Sequence, residues 1–149
     1  MGAYKKIIVG TDGSDTSMRA VDRAGAMAGD GGSELVIVCA YEPHSKEDVR
    51  AAADALGDDA YQVVGSAPAE SVLRDASDRA RSGGADAIET LAVEGPPVDV
   101  LDQAVADSKA DLLVVGNVGL NTLTGRILGS VPQSVARRAG VDVLIVHTA

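Results

Sequence analysis

The sequence contains no phenylalanine and no tryptophan, and only three tyrosines. A core without large rings has to be assembled from Ala, Val, Leu and Ile. With apolar residues at 46% of 149 positions, there are enough of them to fill one. Basic residues are also scarce: 13 Lys and Arg stand against 22 Asp and Glu, a formal net charge of −9. That balance supplies no basic face and argues against nucleic acid as a partner. Cys39 is the single cysteine, so an intrachain disulfide is impossible. Inside Leu35-Val36-Ile37-Val38-Cys39-Ala40 it reads as a small buried core residue, in keeping with a reducing compartment. No apolar run approaches the ~20 residues of a membrane-spanning helix. Met1 to Lys6 leads straight into a short apolar strand without a secretory hydrophobic region, and Lys6 occupies the place where a myristoylation signal has Ser or Thr. These absences predict one cytoplasmic domain over residues 1–149, with no membrane partner.

Five short apolar runs alternate with helical periodicity. Ile7-Ile8-Val9-Gly10 is the first strand, closed by Thr11-Asp12-Gly13, with Ser14 as a helix cap. Met18, Val21, Ala24, Gly25 and Ala28 then recur at helical spacing up to the turn Gly29-Asp30-Gly31-Gly32. Leu35 to Tyr41 is apolar on both faces, the pattern of a parallel sheet covered on both sides. A short helix is expected over Glu47 to Leu56, and a longer one from Pro68 with Ala69, Val72, Leu73, Ala76 and Ala80 on one face. Ile88 to Val93 is the third strand, and Val98, Leu101, Ala104 and Val105 form the inner face of the helix after it. Leu112 to Val115 is the fourth strand and Val141 to Val146 the fifth. This alternation predicts an α/β fold: a doubly wound five-stranded parallel sheet of order 3-2-1-4-5. Ligands of such sheets sit beyond the carboxyl ends of the strands where the order reverses, here between the first and fourth.

Both of those strands end in glycine. The fourth runs into Gly116-Asn-Val-Gly-Leu-Asn-Thr-Leu-Thr-Gly-Arg-Ile-Leu-Gly-Ser-Val-Pro132, followed by a last helix carrying Val135, Ala136 and Ala139. Glycine permits close backbone approach and positive φ, and a helix start at Ser130 and Pro132 would offer unpaired N–H groups to a phosphate. It is not a Walker A loop, because no lysine precedes Ser130, and no Gly-x-Gly-x-x-Gly occurs. The alternative is a glycine-rich loop used only for turning, and on spacing alone a bound ligand is the favoured reading.

With the spacing Gly116-x2-Gly119-x9-Gly129-Ser130, the chain resembles the nucleotide-binding branch of the universal stress protein family over nearly its whole length. Tyr4-Lys-Lys-Ile-Ile-Val-Gly-Thr-Asp-Gly-Ser14 is similar to the family's opening strand, and Glu94-Gly-Pro-Pro-Val-Asp-Val-Leu101 with Ala110-Asp-Leu-Leu-Val-Val-Gly-Asn-Val-Gly119 to its middle. The resemblance implies an adenine-nucleotide α-hydrolase-like sheet, usually dimeric, with an adenine nucleotide at the switch point. It places Gly10, Thr11 and Asp12 at the first lip, Asp12 beside the ribose or adenine. The chain around Ala40 would meet adenine through its backbone. Gly116, Asn117 and Gly119 would close over ribose and phosphates, and Gly129, Ser130 and Val131 would present N–H groups to the phosphates.

Departures from the family pattern bear on the ligand. Val118 and Leu120 stand where relatives often carry basic residues, and Pro132 removes an N–H donor. Arg126 is then the one cationic side chain between residues 116 and 132. A triphosphate normally meets Lys, Arg or a metal, so the pocket is expected to favour cyclic AMP or AMP over ATP, with Mg²⁺ involved only if ATP binds. The alternative is an ATP-binding protein with slow ATPase activity. No Ser-His-Asp grouping or water-positioning residue is evident, so slow hydrolysis is the most that is expected. A phosphorylated receiver is disfavoured by Glu94 and His147-Thr148-Ala149 at the ends of the third and fifth strands. His44 and His147 lack neighbours at metal-ligand spacing, and Asp54, Asp58 and Asp59 lack a calcium-loop pattern; all five read as solvated. The fifth strand, apolar on both faces yet placed at a sheet edge, predicts a homodimer through residues 141–146.

Overall fold

Leu35 to Cys39 are buried without a break, as an apolar strand must be when both faces of its sheet are covered. In the computed structural model, which describes residues 2–41, 67–117, 134–135 and 137–147, these residues form the middle of β2 (Glu34–Tyr41). β2 lies between β1 (Lys6–Gly10) and β3 (Ile88–Glu94). On the other side of β1 come β4 (Leu112–Gly116) and then β5 (Asp142–Val146). All pairings are parallel and the order is 3-2-1-4-5, as the alternation of elements predicts.

Strand alternation divides the core into two layers. Ile7, Val9, Leu35, Ile37, Cys39, Leu112 and Val114 pack with α1 (Asp15–Gly31) and α2 (Ala67–Ser82). Ile8, Val36, Val38, Leu113 and Val115 face the other way, against α3 (Pro97–Ser108) and Val135. The chain winds one way through α1 and α2, then returns across the sheet through α3 to β4. That reversal is the switch point between β1 and β4.

Ser14 caps α1 as its position suggests, its Oγ accepting from Ser17 N–H at 3.2 Å. The helix runs past the expected stop at Gly29, because it is Gly32 that takes the left-handed cap conformation, its N–H bonding to the Ala28 carbonyl. α3 buries Val100 as well as Leu101, Ala104 and Val105, whereas Val98 packs only half-buried at its edge. The helix expected over residues 47–56, His44, the acidic positions 54, 58 and 59, and the cap at Ser130 lie outside the described residues. Among the described residues no helix is long and apolar enough to cross a membrane.

Candidate functional site

The carboxyl ends of β1 and β4 lie side by side, Val9 in register with Val114. Gly10-Thr11-Asp12-Gly13 and Gly116-Asn117 therefore leave the sheet on the same edge. Thr11 continues the β1–β2 ladder by one residue, its N–H donating to the Val38 carbonyl at 3.0 Å. Its side chain is fully buried and organises the turn that follows. Gly13 N–H donates to Thr11 Oγ1 at 3.1 Å, Thr11 Oγ1 lies 2.7 Å from Ser17 Oγ, and Ser17 Oγ donates to the Ser14 carbonyl at 3.0 Å. Thr11 Oγ1 also lies 4.0 Å from Met18 Sδ, so the two buried hydroxyls share one network beneath the turn.

Asp12 is held from both sides within this network. Its N–H donates to Ser17 Oγ at 3.3 Å, and its Oδ1 accepts from Ser14 N–H at 2.9 Å. The second contact is an Asx turn, so the turn-forming role read from Asp-Gly is real. The carboxylate is nevertheless exposed at the end of β1. Gly13 adopts φ 87°, and a Cβ there would come within 2.7 Å of Val72 Cγ2, so glycine is required where α2 covers the turn. Ser17 was not singled out by the sequence reading. Its signal was the spacing Ser14-x-x-Ser17, which places a hydroxyl at the third helical position where capping-box partners sit.

At the end of β2, Cys39 is 4% exposed and Ala40 half-buried, Ala40 registering with Val93. Burial, and after it the Asp12 carboxylate, pushes the Cys39 thiol up to about 11. The thiol stays protonated at neutral pH and is a core group, as the sequence suggests.

Gly116 registers with Val146 of β5, and the Asn117 N–H donates to the Val146 carbonyl at 2.8 Å. The Asn117 Nδ2 lies 3.3 Å from Nδ1 of His147. His147 is exposed, as expected, yet in contact with a residue of the switch point. Gly10, Thr11, Asp12, Ala40, Gly116 and Asn117 thus gather along one edge, at the ends of three adjacent strands. Gly119, Arg126, Gly129, Ser130 and Val131 lie outside the described residues. Among the described residues no three His, Cys, Asp or Glu side chains converge as a metal site would need.

The universal stress protein family model matches residues 3–147. A universal stress protein of Mycobacterium tuberculosis is 57% identical over 148 residues, which is 99% of each chain. A crystal structure of a universal stress protein in complex with cAMP is 49% identical, with a TM-score of 0.76, covering 99% of this chain and 100% of that one. A universal stress protein from Archaeoglobus fulgidus in complex with dAMP has a TM-score of 0.66 over 95% of this chain and 97% of its own. At 22% identity it shares the fold alone.

Proposed function

The chain belongs to the universal stress protein family, and on that premise we propose that it binds an adenine nucleotide across the carboxyl ends of β1 and β4. The observation that carries this reading is the pairing of β1 with β4, which brings the chain after each strand, with Asp12 an exposed acidic acceptor on one and Asn117 an amide on the other, to the same end of the sheet. The 49%-identical structure with cAMP supports the ligand class. The ligand is a low-charge nucleotide, cyclic AMP or AMP in preference to ATP. Between residues 116 and 132 only Arg126 is cationic, and Asp12 adds a negative charge at the opposite lip. Each further phosphate charge would be desolvated without a matching cation. The protein then acts as a sensor or buffer of that nucleotide, not as a catalyst with rapid turnover, and it works in the cytoplasm.

Calorimetric titration of nucleotide-stripped protein with cyclic AMP, AMP and ATP, with and without Mg²⁺, tests this. Cyclic AMP should bind at least about tenfold more tightly than ATP, the effect of ~1.4 kcal/mol. Tighter, Mg²⁺-dependent ATP binding would reverse the charge argument and favour the slow-ATPase alternative. No binding of any of the three would remove the proposal.

The protein is further proposed to be a homodimer through β5. Among the described strands it pairs with β4 alone, at the end of the order, and Ile145 on it is 42% exposed while Val143 and Leu144 are half-buried. An open apolar edge is a template for pairing with a second copy. Ile145→Lys should convert the dimer to monomer in sedimentation equilibrium, with folding preserved because the side chain is exposed. A mass unchanged by this substitution and by Val143→Asp counts against the interface.

A further inference from the structure

We infer that Ser17 and Thr11 are specificity-determining residues of the β1 lip. Their buried hydroxyls take up its backbone N–H groups and leave it able to accept hydrogen bonds from a nucleotide but not to donate them. The inference rests on the proposed function and deepens it, by naming the chemistry this lip selects in the ligand.

A glycine-bearing turn after a strand, with Gly13 at positive φ, is the kind of backbone that can aim successive N–H groups at an anion. Here four successive N–H groups are spent inside the protein. Thr11 N–H goes to the Val38 carbonyl at 3.0 Å and Asp12 N–H to Ser17 Oγ at 3.3 Å. Gly13 N–H goes to Thr11 Oγ1 at 3.1 Å and Ser14 N–H to Asp12 Oδ1 at 2.9 Å. The two hydroxyls lie 2.7 Å apart, and Thr11 and Ser17 are 0% and 6% exposed, so they sit behind the turn and out of a ligand's reach. Asp15 adds a second carboxylate in the first turn of α1, where an anion would otherwise be favoured. What the lip turns outward is the Asp12 carboxylate: Oδ1 is held by Ser14, and among the described residues no group donates to Oδ2. A phosphate oxygen at this lip meets negative charge and none of these four N–H groups, whereas a hydroxyl or amino hydrogen meets an ionised acceptor. The discrimination is therefore built behind the ligand, by two side chains that do not touch it.

The test is titration of the full chain with cyclic AMP and with two analogues that each lack one donor. These are 2′-deoxy cyclic AMP, without the free ribose hydroxyl, and cyclic IMP, in which a carbonyl replaces the 6-amino group. At least one analogue should bind about tenfold or more weakly than cyclic AMP, the loss of a hydrogen bond to a charged acceptor. Ser17→Ala leaves Asp12 N–H without its acceptor. Thr11→Val does the same to Gly13 N–H while filling the buried position with a side chain of similar shape. An N–H released beside the carboxylate can meet an acceptor, so in each variant that analogue's penalty should fall to about threefold or less. Hydroxyls that serve only folding would instead lower the melting temperature and weaken all three ligands alike, with the penalty unchanged. Cyclic AMP binding with neither analogue penalised overturns the inference without any variant. So does a penalty that persists in either variant that folds. Failure of the unsubstituted chain to bind cyclic AMP removes the proposed function and this inference together.

Discussion

Replacing Gly25 with valine should lower the melting temperature by roughly 8 °C, the shift expected from about 2–3 kcal/mol of overpacking in a chain of this size. A Cβ at Gly25 would lie 2.8 Å from the Ala80 Cα and 3.0 Å from its carbonyl oxygen. Those are backbone atoms, which cannot rotate aside, so α1 and α2 would have to separate. One turn on, a Cβ at Gly29 would lie 2.7 Å from the carbonyl carbon and oxygen of Gly84. Residues four apart share a helix face, and the two glycines together let α1 lie almost backbone to backbone on α2 and the turn after it. The Arg79–Asp22 ion pair spans the same seam, but both side chains are substantially exposed and such a pair contributes at most about 1 kcal/mol. Helix propensity acts in the opposite sense, alanine exceeding glycine by about 1 kcal/mol in a helix interior. Scanning calorimetry therefore discriminates sharply: stabilisation by Gly25→Ala would mean that the close approach is absent. Gly140, with no atom of the described residues within 4 Å of a Cβ, is the control and should tolerate alanine.

This seam shows what a sequence makes legible and what it withholds. Gly25 is recognisable as an inward-facing position because it falls on the helical period of Met18, Val21, Ala24 and Ala28. Its partner is not, since Ala80 lies on another helix and only the folded sheet brings the two together. β2 was readable for the opposite reason. Its uninterrupted apolar run has one physical solution, coverage on both faces, and that solution with the alternating helices implies the parallel sheet and its switch point. Element ends were less certain, as at Gly29, because several glycines in a row offer competing stops and only one takes the left-handed cap.

The site divides in the same way. Gly10, Thr11, Asp12 and Gly116 announce themselves as punctuation after apolar strands, and the strand order then places them on one edge. Ser17 and His147 carry no local signal of that strength. Ser17 matters because the turn folds back over the start of α1, bringing Thr11 and Asp12 onto its hydroxyl. His147 meets Asn117 because β5 pairs with β4, which sets the two side by side across a separation of 30 residues. Both are second partners of residues that were legible, and pairing across the fold cannot be read from spacing along it.

Asp12→Asn should weaken cyclic AMP binding about 10- to 100-fold, the range for losing a hydrogen bond to an ionised acceptor. The substitution isolates one feature of the residue. Asparagine keeps an oxygen for Ser14 N–H, so the Asx turn survives, and the backbone N–H still reaches Ser17. Thr11, buried beneath the turn, is untouched. What changes is the other carboxylate oxygen, which becomes an amide nitrogen that can donate but not accept. A ribose hydroxyl or adenine amino group that donates to Asp12 then faces a donor. Electrostatics makes the outcome decisive, because removing a negative charge near a bound phosphate strengthens binding if nothing else is lost. A carboxylate that serves only the turn therefore predicts unchanged or tighter binding, and one that accepts from the nucleoside predicts the loss. Titration of the two proteins side by side, with melting temperatures to show that the turn is intact, separates these opposite signs.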